Sequence, residues 1–284
     1  MTADLKQDVK KACVIGWPIQ QSRSPLIHGH WLKKYGIAGS YDRVAVPPGE
    51  AAAFVRSLES RGLEGCNVTA PHKQAVFDAA DWRDPSAVAV GAANTVWRDG
   101  AKVCVANTDT YGFMTHLGQS APGWDKEDAP VAIFGAGGAA RAVVYGFLDA
   151  GIAKVRLINR TAARAEELVA HFGSRVESWA WTDHARAVAD AGVIVNTTTL
   201  GMAGNAPLDL DLAALDRNAI VADIVYVPLE TPLLAAARAR GHRTVDGLGM
   251  LLHQAVPGFA RWFGVQPEVT PELRDILVAD IERK

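Results

Sequence analysis

A short apolar strand that runs into a cluster of small residues places the strongest constraint on the fold. Residues 131–134 (VAIF) lead directly into residues 135–140 (GAGGAA), where a helical pattern begins. Small residues permit a tight turn in which the backbone approaches a pyrophosphate, and the helix N-terminus stabilises the negative charge. This segment, the glycine turn, therefore predicts a doubly wound, dinucleotide-binding domain. Its predicted cofactor-binding residues are Gly135, Ala136, Gly137, Gly138 and Ala139.

The end of the next predicted strand indicates which dinucleotide is bound. In NAD-binding domains of this type, an Asp or Glu about 20 residues after the turn accepts a hydrogen bond from the ribose 2′-hydroxyl. This chain instead has Asn159, Arg160 and Thr161, with Arg164 one helical turn further on. Because a guanidinium pairs well with a phosphate, the pattern favours NADP. The alternative interpretation is that both arginines only decorate a solvated helix start.

Strand-like and helix-like runs alternate along most of the chain, which indicates an α/β protein with mostly parallel sheets. Its 284 residues suggest two domains, and the Pro, Gly and charged residues of 118–130 indicate a surface connection near their boundary. We expect an N-terminal substrate-binding domain over 1–112 with a mixed, mostly parallel sheet. A Rossmann-like NADP-binding domain is expected over 113–247, with C-terminal helices over 248–284 that return to the first domain.

Two local patterns add detail to this division. Apolar runs at 93–97 and 102–107 flank Asp99-Gly100, a pair that favours a β-hairpin. Helical patterns are predicted at about 248–263 and 271–283 near the end of the chain.

Composition excludes several classes of function. The 29 basic and 31 acidic residues give a net charge of −2, without the basic footprint of a nucleic-acid-binding protein. No apolar stretch reaches the roughly 18 residues of a membrane helix, and the first residues carry no apolar signal core, so we expect a cytoplasmic protein. The three cysteines are isolated and are expected to be buried, reduced thiols. Among the eight histidines, only His28 and His30 have a spacing that metal ligands use, and that pair is interpreted as helix surface, so no metal is predicted.

Polar residues follow the predicted strands of the first domain. They are Ser22 and Ser24 after the first strand, the segment 67–73 (NVTAPHK) at the third, and Asn94 and 107–109 (NTD) around the hairpin. Ligands of open α/β sheets bind at the carboxyl ends of strands. Hydroxyl, amide, lysine and carboxylate groups together suit a polyhydroxylated small molecule.

Eight short motifs in register make the chain resemble the shikimate dehydrogenase family. The resemblance spans about residues 13 to 264, and its motifs are SRSP at 22–25, NVTAPHK at 67–73, GAANT at 91–95, NTD at 107–109, GAGGAAR at 135–141, NRT at 159–161, DIVYVPLETPLL at 223–234 and DGLGMLLHQ at 246–254. It implies reversible, NADP-dependent oxidation of shikimate to 3-dehydroshikimate in aromatic amino-acid biosynthesis, by a monomer or homodimer.

The resemblance also implies roles for individual residues. Lys73 and Asp109 are expected to form the catalytic pair. Residues expected to contact the substrate are Ser22, Ser24, Thr69, Asn94, Asp109, Tyr226 and Gln254. Ile224 and Gly247 are expected beside the nicotinamide, in addition to the glycine turn and the Asn159–Arg164 segment. A lysine amine that accepts the hydroxyl proton is chemically suited to this reaction.

Two other functions stay open from the sequence. A quinate/shikimate dehydrogenase that uses NAD is one, although Arg160 disfavours NAD and Ser24, by resemblance, favours shikimate. The other is a non-catalytic, NADP-binding sensor, which Lys73 and Asp109 argue against. Thr110 and Pro85 depart from the family pattern, which expects Gly at the first position and, in some relatives, an acid near the second.

Overall fold

The computed structural model describes residues 9–125 and 128–283, which form two compact units. The first unit comprises the described residues up to Thr108 together with Gln254–Ala279, and the second comprises Asp109–His253 and the described residues from Asp280. These limits lie a few residues from the predicted domain boundaries. Residues 1–8, where the sequence analysis found no apolar signal core, lie outside the described residues. Residues 126–127 of the predicted connection lie outside them too.

The elements alternate as the sequence pattern predicts. The strands are β1 (Lys10–Gly16), β2 (Gly39–Ala45), β3 (Gly65–Val68), β4 (Trp82–Arg83), β5 (Thr95–Asp99), β6 (Lys102–Ala106), β7 (Val131–Phe134), β8 (Val155–Asn159), β9 (Val176–Ala180), β10 (Val193–Asn196), β11 (Ile220–Asp223) and β12 (Arg243–Val245). The helices are α1 (Ser24–Lys34), α2 (Ala51–Arg56), α3 (Lys73–Ala79), α4 (Pro85–Val90), α5 (Asp109–Ser120), α6 (Gly138–Asp149), α7 (Ala162–Phe172), α8 (His184–Val188), α9 (Pro232–Ala239), α10 (Gly247–His253), α11 (Ala255–Phe263) and α12 (Pro271–Glu282).

The first unit is built on a mixed six-stranded sheet in the order β2-β1-β3-β5-β6-β4. β1 pairs in parallel with both β2 and β3, whereas β5 is antiparallel to β3 and β6. The predicted hairpin is confirmed, because β5 and β6 are antiparallel neighbours joined through Gly100. Gly100 has a φ of +58°, which a glycine adopts without steric penalty because it has no Cβ. β1 lies between β2 and β3, and both of these strands come after it in the chain. The strand order therefore reverses between β1 and β3. This is where ligands of α/β sheets bind.

The C-terminal helix α11 completes the core of this unit. The indole of Trp262 is buried, and its Nε1 donates a hydrogen bond to the Val96 carbonyl at 2.9 Å. A Cβ at Gly65 would lie 2.2 Å from that same Nε1, so β3 needs a glycine where the indole crosses it. The return of C-terminal helices to the first unit, expected from the sequence, is thus observed for α11 and most of α12, whereas α10 belongs to the second unit.

The second unit contains a wholly parallel sheet in the order β12-β11-β10-β7-β8-β9. This is the doubly wound topology that the glycine turn predicts. The strand order reverses between β7 and β10, and the glycine turn directly follows β7. Its core consists of the apolar residues of these strands packed against α6, whose buried face includes Val143 and Phe147.

One predicted helix is divided. The pattern over 248–263 predicts a continuous helix, but the structure has α10 and α11 with Gln254 between them. Pro257 explains the break, because proline has no N–H to donate to the carbonyl of His253 and its ring clashes with that carbonyl in a continuous helix. None of the described helices has the length and apolar composition needed to cross a membrane.

Candidate active site

The loop after β1 holds the first pair of predicted site residues. Ser24 is buried and opens α1, and Ser22 is partly buried, with its hydroxyl donating to Ser24 Oγ at 3.3 Å. The guanidinium of Arg43 on β2 fixes this loop, since its Nε donates to the Ser22 carbonyl at 2.8 Å. The two serines therefore form one hydroxyl cluster at the reversal point of the first sheet.

A buried group of amides and hydroxyls, the strand-end network, lies at the carboxyl end of β3 and the start of β5. It consists of Asn67, Asn94, Thr95 and Thr108. The Asn67 amide donates to the Asn94 carbonyl at 3.2 Å and to Thr95 Oγ1 at 3.3 Å. Asn94 Oδ1 accepts from the backbone N–H of Thr108 at 2.8 Å and from the Thr95 hydroxyl at 3.0 Å. The network gives Asn94 a single amide orientation, with its oxygen already engaged.

Sequence reasoning placed Asn67, Thr95 and Thr108 among the polar residues near strand ends, but it assigned a substrate role only to Asn94. A signal was present. Asn67 stands inside the fully buried strand GCNV, and a buried amide needs hydrogen-bond partners.

Lys73, the predicted proton acceptor, is the first residue of α3 and is partly exposed. The preceding His72 is buried, and its Nε2 donates to the Val46 carbonyl at 2.7 Å, so the start of the helix is tied to the loop after β2. Thr69 is held nearby by its backbone N–H, which donates to the Ile15 carbonyl at 2.9 Å. Thr69 and Lys73 are therefore brought to the same strand ends as Ser22 and Ser24.

Gln254 also belongs to the first unit, at the break between α10 and α11. Its side chain is buried at 9% exposure. A buried glutamine amide needs hydrogen-bond partners, and the apolar side chains of α10 and α11 do not provide them.

Asp109 is the first residue of α5 and is buried in the second unit. The next residue, Thr110, is the departure from the family pattern, and its hydroxyl donates to the Ala142 carbonyl of α6 at 2.9 Å. A Cβ at Gly146 would lie 2.6 Å from Met114 Cγ and 3.2 Å from Thr110 Cγ2, so a glycine on α6 leaves room for both side chains. Thr110 therefore fixes the start of α5 on the helix that follows the glycine turn.

The loop after β11 carries Ile224 and Tyr226, both partly buried. Its anchor is Asp223, whose carboxylate accepts from the Val225 N–H at 2.9 Å, from the Thr231 hydroxyl at 2.8 Å and from the Asn196 amide at 3.0 Å. Burial raises the pKa of Asp223 to about 6, although these hydrogen bonds oppose the rise. The sequence placed this aspartate in a motif without revealing that it organises the loop.

Gly247 lies against the same loop. A Cβ there would lie 2.2 Å from the Ile224 carbonyl oxygen and 2.7 Å from that of Val225. α10 therefore begins in direct backbone contact with the residues after β11, which brings Ile224 and Gly247 together.

The glycine turn has the geometry that a phosphate requires. Gly135 has a φ of +110°, and a Cβ there would lie 2.6 Å from Thr197 Oγ1, so the first glycine is needed for the turn itself. Gly137 and Gly138 are exposed, and the space where their Cβ atoms would stand is open. Gly137 occupies the N-cap position of α6 without a side-chain cap. The N–H groups of the first helical turn are thus accessible to an anion.

The end of β8 presents two cations. Arg160 and Arg164 are exposed, and the Asn159 amide donates to the Thr161 carbonyl at 2.8 Å, which fixes the bend between strand and helix. Thr161 occupies the N-cap position of α7, but its side chain does not cap the helix, contrary to the simplest expectation for a threonine there. Over residues 9–125 and 128–283, no group of three His, Cys, Asp or Glu side chains is arranged to hold a metal ion.

Comparison with known proteins identifies the family. The substrate-binding domain of shikimate dehydrogenase matches residues 14–96, the shikimate/quinate 5-dehydrogenase family matches 117–202, and the shikimate 5′-dehydrogenase C-terminal domain matches 247–271. A shikimate dehydrogenase (NADP⁺) of Azorhizobium caulinodans is 56% identical over 276 residues, covering 97% of this chain and 98% of the relative. The chain belongs to the shikimate dehydrogenase family.

Solved structures agree with this membership. A Thermus thermophilus shikimate 5-dehydrogenase in complex with NADP(H) and shikimate superposes with a TM-score of 0.83 at 30% identity, over 97% of this chain and 99% of that one. A Corynebacterium glutamicum quinate dehydrogenase in complex with NAD gives a TM-score of 0.87, also at 30% identity, over 95% and 99% of the two chains. The family fold is therefore common to enzymes of both substrates.

Proposed function

We propose that this protein is a shikimate dehydrogenase that oxidises the ring hydroxyl of shikimate to the ketone of 3-dehydroshikimate with NADP⁺, and catalyses the reverse reduction. The observation that carries the proposal is that each of the two sheets has a point where its strand order reverses. The groups at one of these points suit a polyhydroxylated substrate, and those at the other suit a dinucleotide. Hydroxyls and amides line the first sheet's reversal point, whereas the glycine turn and two cations mark the second's.

The residues of the second unit fit NADP. The open backbone at Gly137 and Gly138 suits the pyrophosphate, and Arg160 and Arg164 suit the 2′-phosphate as charge-assisted donors. Ile224 and Gly247 are proposed to contact the nicotinamide. Bound NADP⁺ supplies the hydride acceptor.

The substrate-side roles follow from the donor and acceptor inventory. The residues proposed to hold the substrate are Ser22, Ser24, Thr69, Asn94, Tyr226 and Gln254. Asn67 and Thr108 join this proposal because they share the buried network of Asn94.

We assign proton transfer to Lys73 and Asp109. The hydrogen of the C–H bond leaves with both bonding electrons as a hydride. At the same time the O–H proton passes to the Lys73 amine, and the C–O bond becomes a carbonyl. The reverse reaction returns this proton from the Lys73 ammonium to the oxygen. Asp109 is proposed to orient the amine.

Steady-state turnover followed at 340 nm, with shikimate and quinate each paired with NADP⁺ and NAD⁺, tests the proposal. The highest kcat/KM is expected for shikimate with NADP⁺. A preference for quinate and NAD⁺ would support the second candidate, which the similarity to a quinate dehydrogenase favours. No turnover with any pair would leave a binding protein.

The proposal includes a cytosolic location and a monomeric or homodimeric state. Light scattering of the purified protein and fractionation of the source cells test the two statements.

A further inference from the structure

Asn196, the last residue of β10, lies between the two strands whose loops are proposed to bind the cofactor. β10 is flanked by β7 and β11, and the register of these parallel pairs places Asn196 beside Phe134 and Asp223. The glycine turn follows Phe134, and the loop that carries Ile224 follows Asp223. No role for Asn196 was predicted from the sequence, although an asparagine in the buried strand VIVN needs hydrogen-bond partners.

The side-chain amide of Asn196 links the loop after β10 to the end of β11. Its nitrogen donates to Asp223 Oδ1 and to the Leu200 carbonyl, both at 3.0 Å. Its oxygen accepts from the Thr198 N–H at 3.0 Å and from the Thr198 hydroxyl at 2.7 Å. These four hydrogen bonds engage both N–H groups and both acceptor positions of the amide, which is fully buried. Its orientation is fixed from both sides, because a carboxylate accepts and a backbone N–H donates.

The backbone around Asn196 joins the same two loops. The Ile224 N–H donates to the Asn196 carbonyl at 3.1 Å. On the other side, the N–H and the hydroxyl of Thr197 both donate to the Phe134 carbonyl, at 2.8 and 2.6 Å. Thr197 Oγ1 is also the atom that a Cβ at Gly135 would meet. The residue after Asn196 therefore abuts the first glycine of the glycine turn, while Asn196 itself is bonded to Ile224.

Asp223 extends this connection to the far end of its own loop. Besides the Asn196 amide, its carboxylate accepts from the Val225 N–H at 2.9 Å and from the Thr231 hydroxyl at 2.8 Å. Thr231 is fully buried at the N-cap of α9, where its hydroxyl accepts from the Leu234 N–H at 3.3 Å. One carboxylate thus holds both ends of the loop between β11 and α9, through hydrogen bonds that its charge strengthens.

We infer that Asn196 and Asp223 form a positioning pair for NADP⁺: their amide–carboxylate hydrogen bond holds the loop after β11 in a fixed arrangement with the glycine turn, so that the pyrophosphate and the nicotinamide of one cofactor molecule are bound together. The inference rests on the proposed function. A ligand that contacts two elements binds more tightly when both are already held in the arrangement it requires. Both side chains are buried among their partners, so they act through the loops.

The direct test compares Asn196→Ala with Asn205→Ala in the binding of two ligands. Asn205 lies in the same loop after β10, and its exposed amide donates to the Thr199 carbonyl at 2.9 Å, so each variant removes an amide that holds this loop. NADP⁺ is proposed to contact both loops. Adenosine 2′,5′-bisphosphate has phosphates for the glycine turn and the arginines but has no nicotinamide. Calorimetric titration at pH 8, above the pKa of about 6 of Asp223, gives the Kd of each ligand.

The two ligands are expected to respond differently. In Asn196→Ala, the Kd of NADP⁺ should rise about tenfold, as for the loss of a hydrogen bond to a charged group. The Kd of the bisphosphate should change less than about twofold, because Thr197 still anchors the glycine turn. In Asn205→Ala, both Kd values should stay within about twofold of the wild type.

A merely structural role gives a different result. If Asn196→Ala lowers the Tm but weakens both ligands equally, or weakens neither, the inference is overturned. A wild type that does not bind NADP⁺ overturns the proposed function and this inference together. A wild type that turns over shikimate with NADP⁺, and whose two Kd values are matched by Asn196→Ala, overturns the inference alone.

A pair of variants at Thr231 keeps the inference testable if Asn196→Ala does not fold. Thr231→Val nearly preserves the shape of the side chain and removes the hydroxyl that donates to Asp223, whereas Thr231→Ser keeps this hydroxyl. We expect the Kd of NADP⁺ to rise about threefold or more in Thr231→Val and to stay near the wild-type value in Thr231→Ser, with the bisphosphate unchanged in both. Equal NADP⁺ affinities in the two variants would overturn the inference.

Discussion

The two units hold their polar groups in opposite ways. In the first unit, the hydroxyls and amides of the strand-end network are buried and bonded to one another, so the site is a set of side chains with fixed donor and acceptor directions. In the second unit, the glycine turn offers backbone N–H groups, and the cations at the end of β8 are exposed. Recognition of a small polyol therefore depends on side-chain order, and recognition of a dinucleotide depends on backbone shape and surface charge.

The comparison predicts the largest loss of activity for Lys73→Ala. Removing a general base typically costs about 10²- to 10⁴-fold in rate, and we expect kcat to fall in that range while shikimate affinity stays within about tenfold. Lys102→Ala, at an exposed lysine of the β5–β6 hairpin, is the matched control and should retain wild-type kcat. Asp109→Asn should also lower kcat, and the double variant should lose less than the product if the two residues act as a unit. Full multiplicativity would refute the pairing.

Backbone shape in the second unit is tested by Gly135→Ala against Gly151→Ala. Both glycines have positive φ, +110° and +91°, but only at Gly135 does an added Cβ meet another atom, Thr197 Oγ1 at 2.6 Å. Both variants should lower the Tm, because a left-handed backbone is strained for alanine. Only Gly135→Ala should also raise the KM for NADP⁺. The expected increase is about tenfold or more, which corresponds to the loss of one hydrogen bond to a phosphate. Equal effects on NADP⁺ would indicate that the turn does not bind the cofactor.

The exposed cations are tested by Arg160→Ala. Loss of a charge-assisted hydrogen bond to the 2′-phosphate should raise the NADP⁺ KM about tenfold to a hundredfold, with a much smaller change for NAD⁺ and no change in Tm. Arg217→Ala removes an exposed charge elsewhere in the unit and serves as the control. An equal loss for both dinucleotides would assign Arg160 to adenine stacking.

The smallest expected effect is a pH dependence at Asp223. Its folded-state pKa of about 6 is above the usual 3.8, so the folded protein binds this proton more tightly than the unfolded chain. The resulting stabilisation is complete below pH 3.8 and is lost as the pH rises through about 6. In Asp223→Asn, the Tm difference between pH 5 and pH 8 should be smaller than in the wild type. An unchanged difference would show that Asp223 titrates normally.

Sequence reasoning reached the two regions to different depths, for physical reasons. The glycine turn, the cations and the parallel sheet could be predicted because they depend on contiguous residues and on the periodicity of apolar side chains. The NADP assignment rested on the same local pattern and is confirmed by the relatives. The roles of individual site residues stay predictions.

Contacts between distant segments could not be read in this way. Tyr41 meets Asn67 only when β2 and β3 flank β1, and Asp223 gathers its partners from β10 and from the loop after β11. The division of the last predicted helix was within reach, since Pro257 is visible in the sequence. The prediction of one continuous helix followed the periodic spacing of the apolar residues over 248–263 and gave less weight to the proline.

The dependence of the first unit on α11 has a consequence for how the protein is made on the ribosome. β1 and β3 are synthesised early, but Trp262, which packs across β3, is added when the chain is almost complete. The strands of the parallel sheet and their helices, in contrast, are contiguous between Asp109 and His253. We therefore expect the nucleotide-binding half to reach its native state first during translation. The half that is translated first would then mature last, with one face of its sheet available to chaperones until the final helices emerge from the exit tunnel.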